Sequence, residues 1–162
     1  MAQVQKITPC LWFDRNAEEA VNHYISIFAN SRIVTLSRYG DAGPLPKGTV
    51  LTIIFELEGQ RFMALNGGPH FKFTEAISLS VSCDTQAELD RFWESLSAGG
   101  EKGRCGWLKD KFGLSWQIVP AVLGEMMQDQ DAARSNRVMA AVLRMNKLDI
   151  EGLQLTRDGR AS

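Results

Sequence analysis

The amino-acid sequence predicts an α+β fold made of two βαβββ modules in tandem, followed by C-terminal helices. Each half of the chain reads as a strand, an amphipathic helix and further strands. The helix starts also match in register, as an internal duplication requires. The matching residues, 70 positions apart, are Asp14, Ala17 and Glu18 in the first half and Asp84, Ala87 and Glu88 in the second. Between the halves the hydrophobic pattern stops at Gly67-Gly68-Pro69, which predicts a linker.

The first module is predicted over about residues 6–66. The run KITPCLWF at 6–13 reads as a strand, and Asp14 then opens a helix that continues to about Phe28. The apolar residues at helical spacing are Ala17, Ala20, Val21, Tyr24 and Phe28. Alternating or β-rich runs predict further strands at 32–39, 49–58 and 61–66, with the Gly- and Pro-rich loop GDAGPLPKG after the first of them.

The second module is predicted over about residues 75–120, after a linker at 67–74. The strand EAISLSVSC is followed by a helix from Asp84 to about Ala98, which Gly99-Gly100 ends. Further strands are predicted in RCGWLKD and LSWQIVP, and a helical extension at 121–155. One face of this extension carries Val138, Ala141, Val142 and Met145, which need a partner surface in the same chain or in a second subunit. We expect residues 1–162 to form a single domain.

Composition excludes several classes of function. Lys and Arg number 18 against 19 Asp and Glu, so no basic field attracts nucleic acid or acidic lipid. The N-terminus lacks a secretory signal pattern, and no run approaches the roughly 20 apolar residues that cross a bilayer. Cys10, Cys83 and Cys105 fit reduced thiols better than a disulfide framework or a zinc site. The chain is therefore expected in the cytoplasm, without nucleic-acid or membrane partners.

Neither histidine anchors a mechanism by itself. His70 follows the linker glycines, where a solvated loop residue is favoured over a base at the mouth of a cleft. His23 lies on the first predicted helix and is interpreted as a surface or half-buried residue. Cys105 stands beside Arg104, whose charge could activate the thiol, but an unreactive thiol is favoured.

Three longer runs resemble a known family. ITPCLWFDRNAEEAVNHYISIF, MALNGGPHFKFTEAISLSVSC and CGWLKDKFGLSWQIVP resemble the PhnB-like branch of the vicinal oxygen chelate superfamily, and the likeness spans about residues 6–155. The superfamily also includes glyoxalase I, extradiol dioxygenases and bleomycin-resistance proteins. Such chains often carry the name 3-demethylubiquinone-9 3-methyltransferase. The resemblance implies a U-shaped cleft lined by strands of paired modules, and a homodimer that sometimes exchanges modules between its chains.

The resemblance also implies where a catalytic cation would bind. Metal-using relatives hold it with about four His, Glu or Gln side chains, and the matching positions here fall near Thr8, Met63, Ser78 and Gln117. Only Gln117 suits a hard cation, so the sequence predicts neither a metal nor another cofactor. Methyltransferase chemistry lacks support as well, because no Gly-rich turn of the type that holds S-adenosylmethionine or nucleotide phosphates is present.

A cleft of mixed polarity remains as the candidate site. Strand alternation predicts that one set of residues packs on the helices: Ile7, Leu11 and Phe13 on the first strand, and Ile77, Leu79 and Val81 on the fifth. The residues predicted to bind a ligand are Thr8, Trp12, Arg61, Met63, Ser78, Ser80, Ser115 and Gln117, with Asn66 near the rim. Each of them taken singly also fits a packing role.

The function predicted from these residues is the binding of a small molecule, with or without a metal-independent reaction, and no catalytic residue is assigned. Three alternatives stay open. The first is a metal-dependent lyase, isomerase or dioxygenase, and the second is a methyltransferase acting on a ubiquinone precursor, as the family name suggests. The third is a protein that sequesters a drug or metabolite without turnover.

Overall fold

Two compact units make up the chain, the first up to Phe73 and the second from Thr74. The computed structural model describes residues 5–160. Each unit contains a four-stranded sheet, and the strand order in the second repeats that in the first with every strand number raised by four. This shared order confirms the duplicated βαβββ module that the register of the sequence predicts.

The first unit contains five elements. They are β1 Cys10–Phe13, α1 Ala17–Ile27, β2 Arg32–Arg38, β3 Val50–Leu57 and β4 Gln60–Asn66, with the sheet ordered β1-β4-β3-β2. β1 runs parallel to β4, and the other neighbours are antiparallel. α1 buries Ala20, Val21 and Tyr24 completely, on the side of the sheet where Ile53 and Phe55 are also fully buried. The helical spacing that predicts this apolar face is therefore confirmed.

The second unit contains the same elements and three more helices. They are β5 Ser78–Cys83, α2 Gln86–Ser97, β6 Glu101–Lys102, β7 Trp107–Lys109, β8 Ser115–Pro120, α3 Leu123–Met127, α4 Ala132–Arg144 and α5 Ile150–Arg157. The sheet is ordered β5-β8-β7-β6. A reciprocal cap starts α2, because Thr85 accepts a hydrogen bond from the Glu88 amide while the Glu88 carboxylate accepts one from the Asp84 amide.

Two strands begin later than the sequence predicts. Ile7 is 84% exposed and Ile77 is 60% exposed, so their predicted packing on the helices is wrong. Pro9 cannot donate to the sheet, and β1 starts only after it. Beside Arg61 the backbone of β4 is hydrogen-bonded by the side chain of Gln5 instead of by β1. The Gln5 side-chain nitrogen donates to the Arg61 carbonyl (3.0 Å), and its side-chain oxygen accepts from the Arg61 backbone amide (3.2 Å).

The hairpins before β4 and β8 turn in different ways. Glu58 and Gly59 connect β3 to β4 with φ angles of 48° and 79°, as a tight two-residue turn requires. The longer β7–β8 turn is organised by Asp110, which is 2% exposed. Its carboxylate accepts hydrogen bonds from the amides of Phe112 and Leu114 and from the indole of Trp116.

The C-terminal extension packs on the second module. Val138, Ala141 and Val142 of α4 are buried, and α4 contacts α3 and α5. The partner surface that this face needs therefore lies largely within the chain. The large apolar residues exposed on α4 are Met139 and Leu143, 43% and 55% exposed. The homodimer stays a prediction.

The segment between α4 and α5 joins the extension to the sheet. The Cys105 amide donates to the Met145 carbonyl, and the Gly106 amide donates to the Asn146 carbonyl, both at 2.8 Å. Next to them, Leu148 is 1% exposed and lies against Gly106. These contacts hold the loop that leads into β7.

Among residues 5–160, none of the helices is long and apolar enough to cross a membrane.

Candidate functional site in the second module

Each sheet has one face covered by its own helix and an opposite face, here called the open face. In the second sheet Leu108, Trp116 and Ile118 are buried, while the residues alternating with them point the other way. The open face carries Ser78, Ser80, Trp107, Lys109, Ser115 and Gln117. Four of these residues, Ser78, Ser80, Ser115 and Gln117, were candidates from the sequence.

Strand register places these side chains in two rows. Ser115 pairs with Ser78 of β5 on one side and with Lys109 of β7 on the other. Gln117 occupies the next row, between Ser80 and Trp107. The Gln117 amide also donates to the Ser78 hydroxyl at 2.9 Å, which links the rows.

A concavity of about 200 Å³ lies on this part of the sheet. It is lined by Glu75, Glu101, Lys102, Gly103, Trp107, Leu108, Lys109 and Ser115. β6 and β7 have only two and three residues, so the outer half of the sheet is short at this point. All the lining residues belong to the second unit.

Ser115 is the unusual member of the lining. The residue is 1% exposed, and its hydroxyl has no hydrogen-bond partner among the described residues. A buried polar group without a partner costs about 1–3 kcal/mol of folding free energy. Because Ser115 belongs to the lining of the concavity, a ligand that shifts the surrounding side chains can use this hydroxyl as a donor or an acceptor.

Lys109 and Glu75 form an ion pair in the same lining, with 2.5 Å between the ammonium nitrogen and a carboxylate oxygen. The hydrogen bond from Lys109 lowers the pKa of Glu75 below its ordinary value. The same bond, with the attraction of Glu75, raises the pKa of Lys109. Lys102 instead pairs with Glu94 at 2.8 Å. Lys109 is therefore the cation beside Ser115, and it stays protonated at neutral pH.

The open face of the first sheet carries Trp12, Arg61 and Met63 from the predicted set. Arg61 and Arg32 each contact Glu56 at 3.0 Å across three neighbouring strands. The hydrogen bond from Arg61, followed by the attraction of both arginines, lowers the pKa of Glu56. The Arg61 Nε atom is buried and has no partner among the described residues.

Trp12 is fixed by contacts within its own unit. Its indole nitrogen donates to the Gly68 carbonyl at 2.9 Å, and Phe71 meets its ring edge to face at 4.9 Å. The ring also lies so close to Gly67 that a side chain there would collide with it. Trp12 can offer a ligand its ring surface, but its N–H group is already used.

The structure corrects the interpretation of Asn66, which the sequence places near the rim of a cleft. Asn66 is 1% exposed, because its side chain joins α1 to β3. It accepts a hydrogen bond from the Ala17 amide (2.9 Å) and donates one to the Val50 carbonyl (3.0 Å). Its own carbonyl accepts from the Tyr39 hydroxyl. These contacts give Asn66 a structural role.

Thr8, the last predicted site residue, is half-buried and precedes β1. The lining residues outside the predicted ligand-binding set include Glu75, Trp107 and Lys109. Two of them could have been found, since alternation along β7 in register with Ser115 and Gln117 puts Trp107 and Lys109 on the same face.

The positions implied for a metal do not offer a fitting donor set. Met63 lies opposite Cys10, and Gln117 lies opposite Ser80 with its amide nitrogen bonded to Ser78. Within residues 5–160 no group of three or more His, Cys, Asp and Glu side chains is arranged to hold an ion. Thioether and hydroxyl groups with one amide do not make a site for a hard divalent cation.

Nucleophilic chemistry is not supported at the remaining reactive side chains. Burial, reinforced by Glu88 and Asp84, raises the pKa of the Cys83 thiol to about 11, so the thiolate is scarce at neutral pH. His70 is exposed in the segment between β4 and β5.

Comparison with known proteins defines the class first and then the family. The fold is that of the vicinal oxygen chelate superfamily. FosX, the fosfomycin resistance protein from Listeria monocytogenes, shares this fold with a TM-score of 0.52 at 17% identity, over 77% of this chain and 97% of its own. A protein from Pseudomonas aeruginosa does so with a TM-score of 0.60 at 20% identity, over 72% of this chain and 98% of its own.

The family is shown by closer matches. The family model of 3-demethylubiquinone-9 3-methyltransferase matches residues 5–119. The PhnB protein from Bacillus cereus is 42% identical, with a TM-score of 0.67, over 72% of this chain and 100% of its own. The chain therefore belongs to this PhnB-like family, and residues after 119 lie outside the family model. No protein with curated annotation shows significant similarity to the chain.

Proposed function

We propose that this PhnB-like chain binds a small molecule in the concavity of the second module. The observation that carries the proposal is the Ser115 hydroxyl, buried and without a partner, in the lining of that concavity. Trp107 adds an apolar wall and Lys109 a fixed charge. An apolar surface with a few placed polar groups is the usual composition of a small-molecule site.

The proposal concerns binding and assigns no reaction. A serine next to a lysine can form a nucleophile and base pair, but only when the lysine is neutral. Glu75 raises the pKa of Lys109, so the ammonium form persists and cannot take a proton from Ser115. Ser115 and Lys109 therefore act by orienting the bound molecule.

The open face of the first sheet is the second candidate location. The observation that favours it is the buried Arg61 Nε atom without a partner, near the apolar side chain of Met63. Arg61 already donates to Glu56, however, so part of its guanidinium group is in use within the sheet.

A screen of planar fragments by ligand-observed NMR tests the proposal. Wild-type protein is compared with Trp107→Ala and Ser115→Ala, while Met63→Ala serves as the matched variant on the first sheet. We expect fragments that bind the wild type to lose at least about tenfold in affinity in the first two variants, about 1.4 kcal/mol, and to keep it in the third. Loss only in Met63→Ala would move the site to the first sheet, and no binding by any fragment would refute the proposal.

We also propose that the chain acts as a homodimer in the cytoplasm. The exposed Met139 and Leu143 on α4 support the dimer, and the three free thiols are suited to a reducing compartment. Light scattering coupled to gel filtration and fractionation of cells test these two points. A monomeric mass would contradict the homodimer. Recovery of the protein outside the cytoplasmic fraction would contradict the cytoplasmic location.

A further inference from the structure

The Glu75–Lys109 ion pair lies in the lining that contains Ser115. Lys109 of β7 is the cross-strand neighbour of Ser115. Trp107 lies two residues before Lys109 on the same strand and the same face. A cation, a hydroxyl and an aromatic ring thus meet within one small concavity. The Glu75 carboxylate bonds to the cation, yet the Ser115 hydroxyl is left without a partner.

We infer that the small molecule carries a carboxylate, and that this group displaces Glu75 from Lys109. The inference rests on the proposed function and names its ligand class. A carboxylate has two oxygens, one of which can accept from the Lys109 ammonium group while the other accepts from the Ser115 hydroxyl. A planar body attached to it then lies beside Trp107. The Glu75 carboxylate makes the contact with Lys109 but not the one with the Ser115 hydroxyl.

Glu75 is placed so that it can leave. It precedes β5 and has no strand neighbour, and its side chain is 60% exposed. Exposed ion pairs contribute little to stability, because water screens both charges. Displacement therefore exchanges a weak surface contact for one that also satisfies a buried hydroxyl.

Glu101 sets the charge that the ligand can carry. Glu101 of β6 lies opposite Lys109 of β7 in the strand register, and its negative charge also raises the pKa of Lys109. Lys102 does not offset it, because that lysine pairs with Glu94. With Glu101 beside the cation, one negative charge on the ligand is favoured over two.

The test is a titration with benzoate and benzamide, which have the same planar ring and differ in charge. Amide chemical shifts of the concavity residues report binding to wild type, Glu75→Gln and Lys109→Met. Lys147→Met is the matched control, because Lys147 also pairs with a carboxylate, Asp90 at 3.0 Å, and its side chain is 40% exposed against 39% for Lys109.

Removing the internal competitor is expected to tighten benzoate binding about threefold or more, and removing the cation to weaken it about tenfold. Benzamide affinity is expected to change by less than about twofold in either variant, and Lys147→Met to match the wild type. A folded Glu75→Gln protein with unchanged benzoate affinity would overturn the inference even if Lys109→Met did not fold.

The two proposals fail in different ways. If benzoate and benzamide bind with equal affinity to the wild type, Glu75→Gln and Lys109→Met, and binding of both is lost in Trp107→Ala, the small-molecule site stands and the carboxylate inference is overturned. If neither compound shifts the concavity residues of the wild type or of Glu75→Gln while other fragments of the screen bind there, the carboxylate inference alone is overturned. If no fragment binds there either, both proposals are overturned.

Discussion

The two modules share one topology but differ in their outer strands. In the first module β2 and β3 have seven and eight residues, and in the second β6 and β7 have two and three. The long strands of the first sheet support a row of charges in which Glu56 lies between two arginines. The short strands of the second leave a concavity beside Ser115. The candidate site thus lies where the duplicated module is incomplete.

The C-terminal extension supports the shortened part of the second module. Its segment at Met145 and Asn146 accepts hydrogen bonds from the loop that leads into β7. Gln86 at the start of α2 bonds the same extension on both sides, donating to the Leu148 carbonyl and accepting from the Ile150 amide. Residues 5–73 of the first module contain no such segment, so the two modules should respond differently to the same kind of substitution.

The largest effect is expected at the β7–β8 turn. Asp110→Ala removes three hydrogen bonds to a buried carboxylate, donated by the amides of Phe112 and Leu114 and by the indole of Trp116. We expect a loss of about 4 kcal/mol in the free energy of unfolding. Glu58→Asn, in the corresponding turn of the first module, is expected to be nearly neutral, since Asn tolerates its positive φ. Urea unfolding of both variants makes the comparison, and similar losses would contradict it.

The next effect concerns the extension. Leu148→Ala deletes a buried side chain that packs on Gly106 and is expected to lower the free energy of unfolding by about 3 kcal/mol. Gln154→Ala, at an exposed position of the same extension, should change it by less than about 0.5 kcal/mol. Thermal unfolding followed by circular dichroism measures both changes. Equal effects would show that the extension does not support the module.

A smaller effect of opposite sign is expected at Ser115. Ser115→Ala removes a buried hydroxyl without a partner, so the free protein should become more stable by about 1–2 kcal/mol. Ser78→Ala should destabilise by about 1 kcal/mol, because the Ser78 hydroxyl accepts a hydrogen bond from Gln117. The pair distinguishes a residue kept for binding from one kept for folding. Destabilisation by Ser115→Ala, measured by urea unfolding, would count against the site.

The smallest effect concerns the two paired carboxylates. The pKa values of Glu56 and Glu75 are both lowered, so each carboxylate adds stability above its unfolded-state pKa, about 4.3, and loses it as pH falls through its lowered folded-state value. Glu56→Gln should flatten this acid-side fall in stability more than Glu75→Gln, because Glu56 has two cationic partners and Glu75 one. Unfolding curves from neutral pH down to about pH 3 test this, and the reverse order would contradict it.

The sequence predicts the repeated fold well because each strand and helix of the module occurs twice, so the pattern in one half of the chain supports the interpretation of the other. The apolar face of α1 could be read directly from its spacing, and so could the serines of β5 that alternate with Leu79 and Val81. Strand starts were less accessible. Ile7 and Ile77 have strand-like neighbours, but β1 begins only after Pro9, which has no amide hydrogen to donate, and β5 begins at Ser78 because its partner strand starts opposite it, at Ser115.

The candidate site could be predicted only in part. Register within one strand identifies Ser115 and Gln117, but Lys109 joins them only through the pairing of β7 with β8, which is a long-range contact. Glu75 precedes a strand, and no periodicity predicts its ion pair with Lys109. Asn66 was misassigned because a polar residue at the end of a strand can serve a ligand or the backbone, and only the structure shows its bonds to Ala17 and Val50.

The most direct measurement is a crystal structure of the wild-type protein soaked with benzoate. We expect benzoate beside Trp107, with one carboxylate oxygen on Lys109, the other within about 3 Å of the Ser115 hydroxyl, and Glu75 turned away. Benzoate bound only on the open face of the first sheet would place the site elsewhere, and a Glu75–Lys109 pair that stays intact beside bound benzoate would show that the carboxylate does not displace Glu75.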